Sequence, residues 1–325
     1  MPMQYGRVEG VDKPVSRLVL GTMIITDEAQ ERSSALLDAV VAHGGNALDT
    51  AHGYGGGHSE RGIGAWMAAR GNREKMVILT KGCHHNADRR RVTPYDLSSD
   101  LFDSLARLQT DYVDIYMLHR DDPAVPVGPI VKRLNEHHAA GRIRAFGGSN
   151  WTHERIQQAN DYAAAHGMVG FTASSPNYGL AEQVEDPWGE GCVTVSGPGN
   201  ATARQWYRKQ QMPIFAYSSL ARGFFSGRVS PDDPAGAAEL LDRAATKAYC
   251  HPVNFRRLAR AAKLAEEKGV SIPQIATAFV LSAPLTVFPL IGAANGNEFA
   301  DNVEAFGIAL SQQEWEWLDL QHEDR

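Results

Sequence analysis

Four ionisable side chains of complementary chemistry stand at the ends of consecutive apolar runs. Asp49, Lys81 and His119 each close such a run, and Tyr54 follows Asp49 in a glycine-rich stretch. A tyrosine phenol ionises only near pH ~10, but a neighbouring ammonium stabilises the phenolate and lowers its pKa. Held by an aspartate and placed beside an imidazole, such a phenol can donate a proton to an oxygen that becomes an alkoxide. Together the four residues therefore predict acid catalysis, although each alone could be structural: a turn cap, its ion-pair partner, a packed loop tyrosine or a core histidine.

The runs that end in these residues are predicted to be strands of a parallel sheet. Several are continuous apolar stretches, as expected for strands buried on both faces. Eight strands are predicted, at 17–20, 46–49, 76–81, 113–119, 143–147, 170–173, 213–217 and 287–291. Helical patterns lie between them, and eight strand–helix units predict an α/β fold, a (β/α)8 TIM barrel that forms a single domain over residues 1–325. A doubly wound sheet is the alternative.

Helix boundaries and loops can also be predicted. Thr93-Pro94 is typical of a helix start, Thr152 of a cap before a helix over 154–166, and Ser271 with Gln274 of a capping box. The stretch 174–200 is irregular and long enough to overhang a site, and 231–236 is predicted to be a second loop.

The amino-acid composition argues against some classes of binding partner. Among 325 residues, 32 Lys and Arg against 38 Asp and Glu give a net charge of −6, which argues against nucleic acid. The run Arg89–Arg91 is too short to change this and is expected to be a solvated loop. The three cysteines form neither a disulfide framework nor a zinc motif, so a reducing cytoplasm is expected. No apolar run reaches the roughly 20 residues that span a membrane, and the pairs His84-His85 and His137-His138 lack companion metal ligands.

Several motifs, in order along nearly the whole chain, resemble the aldo-keto reductase family. They are Leu48–Gly55 with Ser59, Glu60 and Gly64, then Thr80-Lys81, Asp111–His119, Gly147–Trp151, Ala216–Leu220 with Gly223 and Gly227, and the loop 292–302. The resemblance implies reduction of an aldehyde or ketone by NAD(P)H, without a metal. It also implies that Asp49, Tyr54, Lys81 and His119 are a catalytic tetrad in which Tyr54 donates the proton.

The resemblance further implies which residues bind the cofactor and the substrate. The cofactor would contact Gly21, Thr22, Met23, Asp49, Ser149, Asn150, Ser175, Tyr217, Ser218, Ser219, Leu220, Arg222, Gly292, Asn295, Glu298 and Asn302. Ser149 and Asn150 would bind the nicotinamide carboxamide, and Tyr217 would stack on the nicotinamide ring. The substrate would contact Ile24, Tyr54, His84, His119, Trp151 and Trp188.

Two departures from the family pattern bear on the cofactor. Ser175 stands where the family usually has Gln, so its contact to the carboxamide is direct, water-bridged or lost. The loop 292–298 has no Lys or Arg, and Glu298 would repel a 2′-phosphate but accept hydrogen bonds from a ribose hydroxyl. This motivates the hypothesis that NAD(H) is used at least as well as NADP(H). Alternatively, Glu298 faces solvent and Arg222 supplies the missing charge, so the preference stays open.

Two other functions remain open at this stage. A protein of this fold could serve as a cofactor-sensing regulatory subunit, and a barrel could host another reaction, such as that of a metal-dependent lyase. The polar, glycine-rich entrance leaves sugars and hydroxyaldehydes as candidate carbonyl substrates. The sequence names neither the substrate, the physiological direction nor the oligomeric state.

Overall fold

A computed structural model describes all 325 residues, and eight parallel strands in it close into a barrel. The barrel strands are β3 (Val19–Gly21), β4 (Ala47–Asp49), β5 (Val77–Gly82), β6 (Val113–Leu118), β7 (Ile143–Ser149), β8 (Ala173–Ser175), β9 (Ile214–Ala216) and β10 (Val287–Ile291). Each strand pairs with the next along the chain, and β10 closes the barrel against β3. The predicted (β/α)8 barrel is confirmed, and the doubly wound alternative is excluded.

Helices surround the barrel. They are α1 (Gln30–Ala42), α2 (His58–Arg70), α3 (Pro94–Leu108), α4 (Val127–Ala139), α5 (His153–Ala165), α6 (Ala201–Gln210), α7 (Pro234–Leu240), α8 (Arg243–Tyr249), α9 (Pro252–Lys268), α10 (Ile272–Leu281), α11 (Gly296–Val303) and α12 (Gln312–Leu318). The predicted starts are confirmed: Thr93 and Thr152 cap α3 and α5, and Ser271 forms a capping box with Gln274 at α10.

The period of two along each strand sorts its residues between two cores. Val77 and Leu79 face the barrel interior, while Ile78 packs in the larger core between sheet and helices. Since both faces are buried, the strands read as continuous apolar runs. The same alternation carries residue 81 of β5 to the inner side, directly above Leu79. The strand period thus aims Lys81 into the mouth of the barrel.

The opposite end of the barrel is closed by a short antiparallel hairpin, β1 (Tyr5–Gly6) and β2 (Val15–Ser16). Val8, Val11 and Val15 of this segment pack in the interior core. Strands of two residues are too short to leave a periodic pattern, and the sequence prediction did not include them.

Two local predictions were wrong, each for a physical reason. The sixth strand runs over 173–175 rather than 170–173, because the side chain of Asn160 occupies the backbone N–H and C=O of Phe171. The second loop is cut short because Pro234 begins α7, capped by Asp233. The arginine run lies in a solvated loop as predicted, with Arg89 and Arg90 exposed, and ion pairs also anchor it.

Arg89 pairs with Asp96 at 2.7 Å, and Arg91 pairs with both Asp96 and Asp100. Both carboxylates belong to α3 and are buried. The pairs therefore fasten the segment after β5 to the helix beside it.

No helix has both the length and the apolar character required to cross a membrane. No group of three or more His, Cys, Asp or Glu side chains is placed to hold a metal ion.

Candidate active site

Lys81 is the central residue of the charged cluster at the C-terminal ends of the strands. Its Nζ lies 2.7 Å from Asp49 Oδ1, and it donates hydrogen bonds to Thr50 O at 2.9 Å and to the Tyr54 hydroxyl at 3.2 Å. Lys81 and Asp49 are both almost fully buried. Burial alone would lower the pKa of Lys81, but Asp49 and Tyr54 raise it above the usual value. The ammonium group is therefore held in its charged form against the phenol.

Tyr54 is presented by a turn that only glycine accommodates easily. Gly55, Gly56 and Gly57, which follow it, all have positive φ angles, a region that other residues rarely adopt. Tyr54 N donates to Ala51 O at 3.0 Å, which ties the start of this turn to the end of β4. The turn therefore places the phenol beside Lys81.

The expected lowering of the tyrosine pKa is not the net effect in this structure. Burial raises the pKa of Tyr54 above its usual value, and Lys81 offsets only part of that rise. The phenol is consequently protonated at neutral pH. The Lys81 ammonium group does not deprotonate Tyr54 beforehand, but it is placed to stabilise a phenolate formed by proton transfer.

His119 completes the group of four. Its ring lies 5.8 Å from that of Tyr54, edge to face, and its backbone N–H bonds to Gly82 O at 2.7 Å. Burial, followed by the charge of Lys81, lowers the pKa of His119 well below its usual value, so the imidazole is neutral. Its Nδ1 is buried with no hydrogen-bond partner. The structure thus brings all four predicted catalytic residues together.

Polar atoms at the ends of β7 and β8 form a second group beside the tetrad. Ser149 Oγ donates to Ser175 O at 3.0 Å, and the Ser175 hydroxyl is buried without a partner. Asn150 has a positive φ of 58° and donates through Nδ2 to His119 O at 3.2 Å. Its Oδ1 accepts from the Tyr217 hydroxyl at 2.9 Å. An unpartnered buried hydroxyl next to an amide fits a ligand with both donor and acceptor atoms, as a carboxamide has.

The loop after β9 contains several residues with left-handed backbone. Ser218, Ala221 and Arg222 have φ angles of 52°, 50° and 52°, followed by Gly223 at 93°. Residues of this kind can turn backbone N–H groups toward an anion. In this loop, Ala221 N donates to Ser218 O at 2.7 Å and Gly223 N to Leu220 O at 3.2 Å, so only part of the loop's N–H groups can do so. Strained backbone of this kind concentrates at ligand sites. Within this loop, the Ser219 hydroxyl donates to Leu290 O at 2.8 Å, and Leu220 packs against the outer core.

The loop after β10, residues 292–298, is largely exposed, and Glu298 is its one ionisable residue. Asn295 caps α11, and Glu298 accepts hydrogen bonds from the N–H of Ala294 and from the side chain of Asn295, at 2.9 and 3.2 Å. Asn302 is buried and donates to Glu298 O at 2.7 Å, while Gly292 is exposed. The carboxylate of Glu298 is therefore fixed at the helix N-terminus, which favours negative charge there.

The end of β3 adds a last wall. Gly21 pairs with Asp49, and the buried Thr22 side chain donates to Asp49 O at 2.9 Å. Met23 and Ile24 follow and are exposed. Thr22 therefore aligns the strand end that carries Asp49.

Comparison with known proteins decides the family. A sequence model described as the Aldo/keto reductase family matches residues 17–321. The chain belongs to the aldo-keto reductase family. Members of this family are NAD(P)H-dependent oxidoreductases, and the unpartnered hydroxyl of Ser175 and the left-handed loop at Ser218–Gly223 fit that cofactor.

Curated relatives are distant but align over most of their length. Protein tas of Escherichia coli (strain K12) is 28% identical over 354 residues, which cover 99% of this chain and 98% of that protein. Norsolorinic acid reductase B of Dothistroma septosporum is 27% identical over 330 residues, covering 94% and 78%. The putative aryl-alcohol dehydrogenase AAD14 of Saccharomyces cerevisiae is 27% identical over 341 residues, covering 98% and 87%.

The predicted substrate residues of this aldo-keto reductase divide into exposed and buried ones. Ile24 and His84 are exposed, and the His84 ring lies 4.8 Å from that of His119. Trp188 is 45% exposed, with its ring 5.8 Å from Tyr217. The prediction for Trp151 was wrong, because its side chain is fully buried and its Nε1 is bonded to a backbone carbonyl. Trp151 packs under the site and does not contact a substrate.

Sequence reasoning missed the part of the long irregular segment that enters the site. Val193 N donates to Asn150 Oδ1 at 3.0 Å, and Val193 O accepts from the Tyr217 hydroxyl at 3.2 Å. Asn177 holds the segment by accepting from Thr194 Oγ1 at 2.8 Å. The only signal was length, because an irregular stretch of this size in a compact fold is often functional.

Proposed function

We propose that this aldo-keto reductase reduces an aldehyde or ketone to an alcohol with Tyr54 as the proton donor. The observation that carries the proposal is the short chain of contacts from Asp49 to Lys81 at 2.7 Å and from Lys81 to the Tyr54 hydroxyl at 3.2 Å, with the neutral ring of His119 alongside. We further propose that residues 1–325 act as one domain and that the protein works in the cytoplasm, as its three free cysteines favour.

Each residue around the phenol would have a separate role in the proton transfer. Bound NAD(P)H supplies the hydride that reaches the carbonyl carbon. Tyr54 carries the proton at neutral pH and releases it to the carbonyl oxygen as charge develops there. Lys81 stabilises the phenolate that is left, Asp49 fixes Lys81, and the neutral His119 donates a hydrogen bond to the same oxygen.

The polar group at β7 and β8 would orient the nicotinamide. Ser149, Asn150 and the free hydroxyl of Ser175 would bind its carboxamide, and Tyr217 would lie against the ring. Ser175 has the reach to make this contact directly only if the carboxamide lies close to β8, because its side chain is shorter than the Gln usual in the family. Otherwise a water bridges the gap.

The loop 292–298, which would hold the adenosine end of the cofactor, contains Glu298 but no Lys or Arg. This composition supports use of NAD(H) at least as well as NADP(H). Glu298 is fixed at the N-terminus of α11, where it would oppose a 2′-phosphate. The alternative source of positive charge, Arg222, is paired with Asp242 at 2.5 Å and stacks on the Trp188 ring.

The substrate class is proposed from the entrance. Gly53, Gly55 and Gly56 are exposed beside Tyr54, and His84 adds a polar ring. This surface favours small polar carbonyl compounds, such as hydroxyaldehydes and sugars. The names of the relatives, a norsolorinic acid reductase and an aryl-alcohol dehydrogenase, agree with carbonyl–alcohol chemistry but differ in substrate.

The direct test is oxidation of NADH and of NADPH by purified protein, followed by absorbance with a panel of aldehydes and ketones. We expect turnover with several aldehydes and a kcat/KM for NADH at least equal to that for NADPH. A hundredfold preference for NADPH would overturn the NAD proposal. A nucleotide that binds tightly but is oxidised by no carbonyl compound would instead favour the cofactor-sensing subunit.

A further inference from the structure

One buried arginine of this chain has no carboxylate partner. Arg120 is 4% exposed, and no Asp or Glu oxygen lies within 4.0 Å of its guanidinium group. Its Nη1 donates to Gly191 O at 3.0 Å and to Cys192 Sγ at 3.2 Å, while Nε is buried without a partner. Burying a cation without an opposite charge is costly.

The other buried arginines show the usual solution. Arg257 pairs with Asp319 at 3.2 Å, and Arg260 pairs with Glu323 at 2.8 Å. Both lie on α9, which the last residues of the chain cover. Arg120 differs because its guanidinium group contacts only a backbone carbonyl and a thiol, with no carboxylate in ion-pair distance.

Acidic residues near Arg120 along the chain are committed elsewhere. Asp121 pairs with Arg155 at 3.1 Å, and Asp122 pairs with Arg90 at 3.4 Å. Asp186, on the segment above, accepts from Cys192 N at 3.4 Å. None of these carboxylates neutralises the guanidinium group.

The position of Arg120 places this charge at the mouth of the barrel. It directly follows His119, and the segment it bonds continues into Val193, which contacts Asn150. After burial, which is the larger cause, its charge helps to lower the pKa of His84 and His119. The region thus combines one permanent cation with neutral rings, and no carboxylate in it lies within ion-pair distance of the guanidinium group.

We propose that Arg120 binds the anionic group of a carbonyl substrate, so that the preferred substrates are aldehydes or ketones bearing a carboxylate or a phosphate ester. A guanidinium group binds both anions through charge-assisted, often bidentate hydrogen bonds. Substrate binding would supply the counter-ion that the folded chain lacks. This inference rests on the proposed reductase function and names the substrate class of the same site.

The cofactor pyrophosphate is the competing source of an anion. The left-handed loop at Ser218–Gly223, where the pyrophosphate would bind, follows β9. Arg120 instead follows β6, across the mouth, and comes directly after His119. The observations therefore favour the substrate as the source, and the experiment separates the two.

The experiment compares matched aldehydes with and without a negative charge. One series pairs ω-carboxylated aldehydes of increasing chain length with uncharged aldehydes of the same length, and glyceraldehyde 3-phosphate is paired with glyceraldehyde. For the wild-type protein we expect kcat/KM to favour the charged member of at least one pair by roughly ten- to hundredfold. The preference should peak at one chain length, since Arg120 is fixed.

Three variants separate anion binding from support of the loop. Arg120→Gln should lose the preference for the charged member while its kcat/KM for neutral aldehydes stays within about threefold, and Arg120→Lys should keep part of the preference. Arg204→Gln is the matched control, because Arg204 also donates to carbonyls of the same segment, Val195 O and Gly197 O, at 2.7 and 2.5 Å. It should leave the charge preference intact.

Several results would overturn the proposal. They are a wild-type protein without a charge preference, an equal loss for charged and neutral aldehydes in Arg120→Gln, and weakened NAD(P)H binding in that variant. If no aldehyde is reduced, the proposed function fails, and binding alone decides the role of Arg120. Butyrate should then bind the cofactor-loaded wild type at least tenfold more tightly than Arg120→Gln, with butyramide unaffected, and equal binding would refute the role.

Discussion

Both ends of the barrel contain buried ion pairs of the same kind, but the two networks differ in the groups they contact. At the N-terminal end, Asp114 pairs with Lys13 at 2.6 Å and Arg73 at 2.9 Å and accepts from Ile78 N at 2.9 Å. At the C-terminal end, Asp49 pairs with Lys81 at 2.7 Å. Both carboxylates are buried, and both belong to strands.

The difference lies in where each network stops. Around Asp114, the remaining donors of Arg73 reach backbone carbonyls of Met76 and Tyr112, so the network ends within the scaffold. The network of Asp49 and Lys81 ends at a phenol beside an imidazole. Since barrels place catalysis at the C-terminal ends of their strands, we expect the first network to serve stability and the second to serve chemistry.

Removing the cation of the upper network should give the largest effect. Lys81→Met should lower kcat for carbonyl reduction by at least about a thousandfold, because nothing then stabilises the phenolate of Tyr54. Steady-state assays with NADH measure it. The double variant Asp49→Asn/Lys81→Met removes the stranded carboxylate as well and should regain stability without regaining activity; recovered turnover there would contradict the role of Lys81.

Removing the carboxylate of the lower network should act on folding alone. Asp114→Asn leaves Lys13 and Arg73 without their shared counter-ion and should cost about 3 kcal/mol in the free energy of unfolding. Denaturant unfolding measures this cost. kcat of the folded fraction should match the wild type, and a large fall in kcat at unchanged stability would erase the contrast between the two ends.

Reversing the charge of Glu298 in the exposed loop 292–298 should have a moderate effect on the cofactor preference. Glu298→Arg should shift the ratio of kcat/KM for NADPH over NADH by about tenfold toward NADPH, because a guanidinium group binds the 2′-phosphate that the carboxylate repels. Glu298→Gln is the control and should shift the ratio less. An unchanged ratio in both variants would show that Glu298 does not face the ribose.

The smallest effect should be that of pH on reduction. Burial raises the pKa of Tyr54 and lowers that of His119, so the phenol stays protonated and the imidazole stays neutral across the neutral range. Reductive kcat/KM should therefore vary little between about pH 6 and about pH 9. A steep limb near pH 6.5 would show that His119 titrates in the working range.

The barrel could be predicted from the sequence because both faces of its strands are buried, which makes the strands continuous apolar runs. Val77, Ile78 and Leu79 form an unbroken apolar run, and the structure divides them between the inner and outer cores. The displaced sixth strand and the missed hairpin depended on contacts that no local pattern contains, such as the side chain of Asn160 on the backbone of Phe171.

The tetrad could be located from strand ends, but its electrostatics could not. Proximity of Lys81 to Tyr54 was predicted, whereas the net rise in the pKa of Tyr54 comes from burial, which depends on the whole mouth. Arg120 stood beside His119 in the sequence without a signal, because the absence of a carboxylate around it is a property of the folded chain. Trp151 was misassigned for the same reason, since only the structure shows it buried.

The role of Tyr54 is tested most directly by Tyr54→Phe, assayed for nucleotide binding by fluorescence and for single-turnover reduction of an aldehyde. The variant loses only a hydroxyl at the end of the Asp49–Lys81 network. We predict unchanged affinity for NADH and NADPH with turnover reduced by at least about a thousandfold. Full turnover in the variant would contradict Tyr54 as the proton donor.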